Sequence, residues 1–165
     1  MEKNAYFAGG CFWCITPTFR QLEGVKNVVS GYSGGDWKDP TYQQVKTQKT
    51  GHRETILVTY ENTEVSFETL LDIFLNSVDP LDDGGQFIDR GYSYTLAVYY
   101  TEEAEYALCK SRIEDLSRLL GQPVYISIEP FACFYPAEEY HQNYDLKNPE
   151  AFQEELIQSG RMKKD

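Results

Sequence analysis

Residues 9–14 read Gly9-Gly10-Cys11-Phe12-Trp13-Cys14, and the chain organises itself around this turn. Before it, Asn4-Ala5-Tyr6-Phe7-Ala8 has the composition of a short apolar strand, ended by two glycines at which the backbone can turn without a side-chain penalty. After it, Ile15, Phe19 and Leu22 fall at helical spacing between Cys14 and Glu23, with Gly24 placed as a stop and Pro17 tolerable only in the first turn. The Cys-x-x-Cys pair therefore spans the junction of a turn and a helix N-terminus, where unpaired N–H groups and the helix dipole favour negative charge. A thiol in that position is expected to have its pKa lowered from about 8.5 toward a nucleophilic range, and two thiols three positions apart can close a disulfide. The competing reading makes both cysteines small buried hydrophobes.

Working outward, Val25 to Ser30 reads as a strand running into a glycine loop, Gly31 to Asp36, and Asp39-Pro40-Thr41-Tyr42 opens a short helical turn. His52 to Tyr60 is a second strand whose alternation places Glu54, Ile56, Val58 and Tyr60 on one face and Arg53, Thr55, Leu57 and Thr59 on the other. Ser66 caps a helix striped by Phe67, Leu70, Leu71, Phe74, Leu75 and Val78. A turn-rich loop follows from Asp79 to Gln86, then a strand from Ser93 to Tyr100. Thr101 caps a helix striped by Tyr106, Cys109, Ile113, Leu116 and Leu120, which Gly121 ends. The remainder reads as a strand, Val124 to Glu129, then helices over Pro136 to Tyr144 and Pro149 to Gln158, and a charged tail. Strands that alternate with helices but also meet through short loops predict an α+β sandwich, a mixed β-sheet covered by helices, rather than a doubly wound fold. No repeat or linker divides residues 1–165, which are expected to form a single domain at roughly 100–200 residues per domain.

With 15 basic and 26 acidic residues the net charge is −11, and the densest basic run is Lys163-Lys164. That balance opposes nucleic-acid binding. No apolar run approaches the ~18 residues of a membrane span, and no secretory signal opens the sequence, so a cytoplasmic protein is expected. Four cysteines at positions 11, 14, 109 and 133 do not make a disulfide scaffold, which leaves redox chemistry or a metal. Zinc would need a second half-site, and neither Cys109, on the stripe of its helix, nor Cys133, between Phe131 and Phe134, belongs to one. Both are expected to be buried. Glu54 sits on the more apolar face of its strand; it is either desolvated, with a raised pKa suited to a general acid, or solvated, or paired with Arg53 or Lys49. His52 and His141 are expected as surface or capping residues. Tyr32, Tyr42, Tyr92 and Tyr94 lie in or beside glycine-containing loops, where their hydroxyls can reach a polar substrate oxygen.

Several motifs in order together resemble the A-type peptide methionine sulfoxide reductases over nearly the whole chain. They are the Gly9–Cys14 box, Gly31-Tyr32-Ser33-Gly34-Gly35, Asp39 to Val45, Thr50-Gly51-His52-Arg53-Glu54, Asp89-Arg90-Gly91 with Tyr94, and Phe134 to Gln142 with Lys147-Asn148-Pro149. The resemblance implies a two-layer α+β sandwich with the active cysteine at a helix N-terminus. It makes Cys11 the nucleophile, Glu54 the proton donor to the sulfoxide oxygen, and Phe12 and Trp13 the wall for the S-methyl group. Tyr42 and Tyr94 would hydrogen-bond the oxygen or its water, and Asp89 would hold the polar network. The implied substrate is methionine S-sulfoxide, free or in proteins, with no cofactor and no metal. Many relatives resolve the resulting sulfenic acid with a C-terminal cysteine, but residues 134–165 contain none. Cys14 is then the natural resolving residue, with thioredoxin or another dithiol as reductant. Cys133 and a one-cysteine cycle with an external thiol stand as alternatives. Two further readings compete with this one: a general Cys-x-x-Cys thiol-disulfide oxidoreductase, and a zinc-stabilised interaction domain with an acidic surface. Trp13 before Cys14, and the presence of Glu54, argue against the first.

Overall fold

A computed structural model describes residues 1–159. The elements are β1 (Glu2–Gly9), α1 (Phe12–Arg20), β2 (Val25–Ser33), α2 (Tyr42–Lys46), β3 (Arg53–Glu61), α3 (Phe67–Ser77), β4 (Gly85–Gln86), β5 (Asp89–Arg90), β6 (Leu96–Tyr100), α4 (Glu103–Leu120), β7 (Ile126–Pro130), β8 (Tyr135–Pro136), α5 (Tyr144–Lys147) and α6 (Pro149–Gln158). Six strands form one sheet in the order β7-β6-β1-β3-β2-β8, and β4 pairs with β5 apart from it. Only β6 and β7 run parallel; the neighbours of β1, β2 and β3 are antiparallel. The sheet is therefore mixed, as the element pattern predicts.

Period-two alternation decides what each face of this sheet meets. Phe7, Ile56, Val58, Leu96 and Val98 point to the face covered by α1, α3 and α4, where they join Phe12, Ile15, Phe19, Leu70, Leu71, Phe74 and Cys109 in the main core. Tyr6, Ala8, Ala97 and Tyr99 point the other way, under Phe131 and Phe134. Ser66 caps α3 by accepting from the Thr69 N–H, and the predicted stripe packs Leu70, Leu71 and Phe74 with no exposed surface. Truncating Phe74 to alanine would cost roughly 3–5 kcal/mol.

Five local expectations are corrected. Helix α1 starts two residues earlier than its apolar spacing suggests, with Cys11 as N-cap, so Pro17 lies in its second turn rather than its first. The helix adapts locally, with the Thr16 hydroxyl donating to the Phe12 carbonyl at 2.6 Å. Residues Gly31 to Ser33 belong to β2 rather than to a loop. Pro136 to Tyr144 is not one helix but holds only a 3-10 turn, Glu139–His141: Pro136 pairs with Gly31 at the sheet edge, the Ala137 N–H donates to the Ser30 carbonyl, and the Gln142 side chain holds both the N–H and the carbonyl of Ser30. Strand addition here overrides helical periodicity. Lastly, a short 3-10 turn, Tyr92–Tyr94, precedes β6, and Glu102 rather than Thr101 is the N-cap of α4. Lys163 and Lys164, with the rest of the charged tail, lie outside the described residues.

Candidate active site

The central strand β1 ends at Gly9, Gly10 turns the chain at φ 86°, and Cys11 caps α1 immediately afterward. That sequence of strand, turn and cap delivers a thiol to the edge of the core at the end of the sheet. From the neighbouring strand, Glu54 enters the same space on the helix-covered face. Its carboxyl is 3% exposed, and Oε1 accepts from the Phe12 N–H at 3.2 Å. Arg53 leaves by the opposite face, where it donates to Glu129 at 2.6 Å and to Tyr99 at 3.0 Å. Neither a solvated Glu54 nor an Arg53 to Glu54 pair is present.

Cys11, Phe12, Trp13, Tyr42, Glu54, Asp89 and Tyr94 line one cavity of about 190 Å³ together with Glu155 from α6. Motifs as far apart in sequence as residues 11 and 94 thus converge on one small space. Cys14 does not line it; this thiol lies one turn into α1, hydrogen-bonded to Cys11. Cys133 is half-buried, its Sγ lying 3.8 Å from the Gly35 carbonyl oxygen, and it lines neither this cavity nor the cleft beside Cys14. Cys109 is fully buried in the core, where burial pushes its thiol up to about 12.

Burial raises the pKa of Glu54 to about 8, even though the Phe12 N–H and the Tyr94 hydroxyl both favour its charged form. The Asp89 carboxylate adds to the rise. A hydrogen bond with Cys14, burial, and the charges of Cys14, Glu54 and Asp89 all push the Cys11 thiol upward. The lowered thiol pKa expected from the helix N-terminus is therefore reversed: the first N–H of α1 is committed to Glu54, and a buried thiol between acidic neighbours holds its proton. Tyr42 and Tyr94 line the cavity together. Burial and the charge of Glu54 keep Tyr94 well above the ordinary phenol range, and burial lifts Tyr42 to about 12. Near neutral pH Cys11, Glu54, Tyr42 and Tyr94 share this cavity as neutral acids beside the Asp89 carboxylate.

The wall of this cavity is braced by residues that the sequence reading places elsewhere. His141 and His52, expected as surface or capping residues, are each 1% exposed. The Trp13 indole N–H donates to His141 Nδ1 at 3.1 Å, so the imidazole proton sits on Nε2, which has no hydrogen-bond partner among the described residues. Trp13 is also stacked on Tyr144, with ring centroids 3.9 Å apart, and is thereby clamped on both sides. His52 Nδ1 accepts from the Gly35 N–H, and its Nε2 bonds the Trp37 carbonyl, which pins the loop after β2. Glu138 accepts from the Tyr32 hydroxyl and the Tyr42 N–H, both at 3.0 Å. Burial pushes Glu138 up, but these hydrogen bonds win and hold it below the usual carboxylate range. Tyr32 is thus a strand residue bonded to Glu138, and Tyr92 lies under the Arg53 guanidinium at 4.6 Å. Glu155 has no motif to announce it, since only the docking of α6 brings it to the cavity.

Among the described residues no group of three or more His, Cys, Asp or Glu side chains is arranged to hold a metal ion. Among them, too, no helix is long and apolar enough to cross a membrane.

Comparison with known proteins places this arrangement. The chain is 45% identical over 162 residues to a Staphylococcus aureus (strain Mu50) protein named peptide methionine sulfoxide reductase MsrA 2, covering 97% of this chain and 92% of the relative. It is 46% identical over 166 residues to the Halalkalibacterium halodurans peptide methionine sulfoxide reductase MsrA, covering 98% and 94%. Among solved structures it is similar to yeast Mxr1 in reduced form, from Saccharomyces cerevisiae, with a TM-score of 0.84, 28% identity and coverage of 90% and 87%. Methionine sulfoxide reductase A of Corynebacterium diphtheriae superposes with a TM-score of 0.82 at 28% identity, covering 90% of this chain and 76% of that one. The sequence profile of one family, described as Peptide methionine sulfoxide reductase, matches residues 3–165, and the chain belongs to that family.

Proposed function

We propose that this family member reduces methionine S-sulfoxide, free or in proteins, by attack of Cys11 on the sulfoxide sulfur. The observation that carries the reading is a carboxyl group, Glu54, buried in the same cavity as the Cys11 thiol and holding its proton up to about pH 8. A sulfoxide oxygen is a poor leaving group as an anion, and an acid beside it converts it to a hydroxyl. Glu54 gives its proton to that oxygen while the Cys11 thiol, as it bonds to sulfur, passes its own proton back to Glu54. The oxygen ends on Cys11 as a sulfenic acid, methionine leaves, and the proton count closes without a free thiolate in the resting protein. Phe12 and the clamped Trp13 supply an apolar wall for the S-methyl group. The hydroxyls of Tyr42 and Tyr94 are positioned to hold the oxygen, with Asp89 behind them.

Cys14 then attacks the Cys11 sulfenic acid, water is lost, and a disulfide forms between them; the hydrogen bond that already joins the two thiols supports this pairing over Cys133. Thioredoxin or another dithiol reduces the disulfide, a recycling that suits the cytoplasm, where such dithiols are kept reduced.

A single-cycle assay tests the reading: pre-reduced protein, freed of reductant, is mixed with excess methionine S-sulfoxide. About one methionine formed and about two thiols lost per chain are expected, with Cys11 and Cys14 joined on peptide mapping. Methionine formation by Cys11→Ser would overturn the assignment of the nucleophile. Reduction of insulin disulfides far faster than any sulfoxide would instead favour a general thiol-disulfide oxidoreductase.

A further inference from the structure

The reaction cavity has a larger neighbour. A cleft of about 590 Å³ lies between α1, the C-terminal end of α3, the β4–β5 hairpin and α6, and three of these elements wall both spaces. Helix α1 gives Cys11 and Trp13 to the cavity and Pro17 and Thr18 to the cleft; the hairpin gives Asp89 to the first and Phe87 to the second; α6 gives Glu155 to the first and Leu156 to the second. Phe87 and Asp89 are two residues apart, at most about 7 Å along the chain. An extended polypeptide covers the same distance in two residues, and side chains two positions apart point to the same face. A chain whose sulfoxide fills the cavity therefore brings the side chain two positions away to the cleft.

The hairpin tip is built against its own local preferences. Gln86 pairs with Asp89, so Phe87 and Ile88 alone make the turn, and they stand 38% and 56% exposed. Phe87 holds φ at 56°, a left-handed conformation in which glycine or asparagine turns the chain with less strain. A bulky apolar residue at this point is costly in backbone strain and in exposed surface, and such combinations persist where a ligand or partner is held. The rest of the cleft agrees with that reading. Ile15, Val78, Phe152 and Leu156 make it largely apolar, and on a chain of net charge −11 Asp79 is the one ionised side chain among the residues that line it.

We infer that this cleft is a specificity subsite for protein-bound methionine sulfoxide, which takes an apolar side chain two positions from the oxidised residue and packs it against Phe87. The inference rests on the sulfoxide-reduction reading above. Methionine belongs to apolar segments of proteins, and its oxidation disrupts the cores that such segments form. The neighbours of a methionine sulfoxide are thus often the side chains that a near-neutral, apolar cleft accepts. Free methionine sulfoxide fills the cavity alone and gains nothing from the cleft. Cavity and cleft so divide the work, the first selecting the sulfoxide and the second the polypeptide that carries it.

The test compares kcat/KM for two acetylated, amidated pentapeptides with methionine S-sulfoxide at the centre, one carrying leucine and the other serine at both ends. Dithiothreitol is the reductant, so that no protein reductant covers the same surface. The leucine peptide is expected to be favoured about tenfold, a part of what burying a leucine side chain supplies. Phe87→Asn removes the apolar wall and keeps a residue that tolerates positive φ; Asn76→Arg puts a charge on the α3 wall, away from the hairpin. Each should bring the ratio to within about twofold of one, with the loss falling on the KM of the leucine peptide. Equal efficiency for the two peptides in the parent protein, or a ratio that either variant leaves unmoved, overturns the inference and leaves sulfoxide reduction standing. Failure to reduce both peptides and the free amino acid overturns that reading and the inference together. A dimer in solution that Asn76→Arg dissociates would give the cleft to a second copy of this chain, and overturns it too.

Discussion

The backbone N–H of Phe12 donates to Glu54 Oε1 at 3.2 Å, so the positive end of α1 is aimed at a carboxyl from β3 and not at the thiol that caps the helix. Burial pushes the Glu54 carboxyl up and this N–H pulls it down, with a balance at about 8. At pH 7 roughly nine in ten molecules therefore carry the proton that the chemistry needs. The helix N-terminus tunes the acid and leaves the thiol neutral.

Sulfoxide reduction in a single pre-reduced turnover should accordingly fall as pH rises through about 8, because Glu54 loses its proton there. Glu54→Gln keeps the volume and an oxygen for the Phe12 N–H but has no proton to give. Its kcat/KM should drop by about 10²–10⁴, and its residual rate should show no fall near pH 8. An unchanged alkaline limb in the variant would assign that limb to another group.

The same carboxyl should govern stability. A carboxyl whose pKa is raised on folding contributes its stability fully below the unfolded value near 4.5, and loses it as pH rises through the folded value of about 8. Glu54→Gln should then match the parent near pH 4.5 and exceed it in unfolding free energy at pH 9, by up to about 5 kcal/mol. Denaturant titrations at pH 4.5, 7 and 9 check both the sign and the window.

Tyr94 lines the cavity with Glu54 and Tyr42, and its hydroxyl favours the charged form of the Glu54 carboxyl. Removing its hydroxyl withdraws a donor that favours the Glu54 carboxylate. Tyr94→Phe should lower kcat by about tenfold, on the scale of losing one hydrogen bond to a reacting group. It should also move the alkaline limb to higher pH. A limb that moves down, or stays, would mean that Tyr94 does not act on Glu54.

On the opposite face of β3, the guanidinium of Arg53 is held by Glu129, Tyr99 and Thr95. Arg53 is 6% exposed, and removing Glu129 leaves its charge buried without a counterion. Glu129→Ala should destabilise the protein by about 3 kcal/mol. Because Arg53 points away from the cavity, the pH of the Glu54-dependent limb should stay where it is in a pH-rate profile.

Much of this arrangement was legible in the residues. The helix capped by Ser66 follows from its cap and periodicity, and the alternation of β3 places Glu54 on the core face without any tertiary information. What the residues do not carry is partnership. The stretch after Tyr135 has helical spacing, yet it joins the sheet edge because Ser30 and Gly31 offer it a ladder; a Cβ on Gly31 would lie 2.4 Å from the Phe134 ring, so that close approach depends on glycine. His141 and His52 look like surface residues until Trp13 and the Gly35 N–H are found bonded to them. The direction of the Cys11 pKa was misread for the same reason: local sequence shows the helix dipole and not the carboxyls folded against it.

The strand order has a consequence for how the protein is made. Cys11 hangs from β1, whose neighbours are β3, ending at Glu61, and β6, ending at Tyr100. Cys11 is thus among the first residues synthesised, while Glu54 and the second flanking strand emerge about 40 and 90 residues later. A nascent chain halted between residues 61 and 95 carries both Cys11 and Glu54 but leaves one side of its central strand as an open edge, a row of unpaired backbone groups free to bind another chain. Completing β6 closes that edge of the strand that carries Cys11, and β7 then covers the outer edge of β6, so protection of the sheet edge on this side waits on residues made more than 100 positions after the thiol.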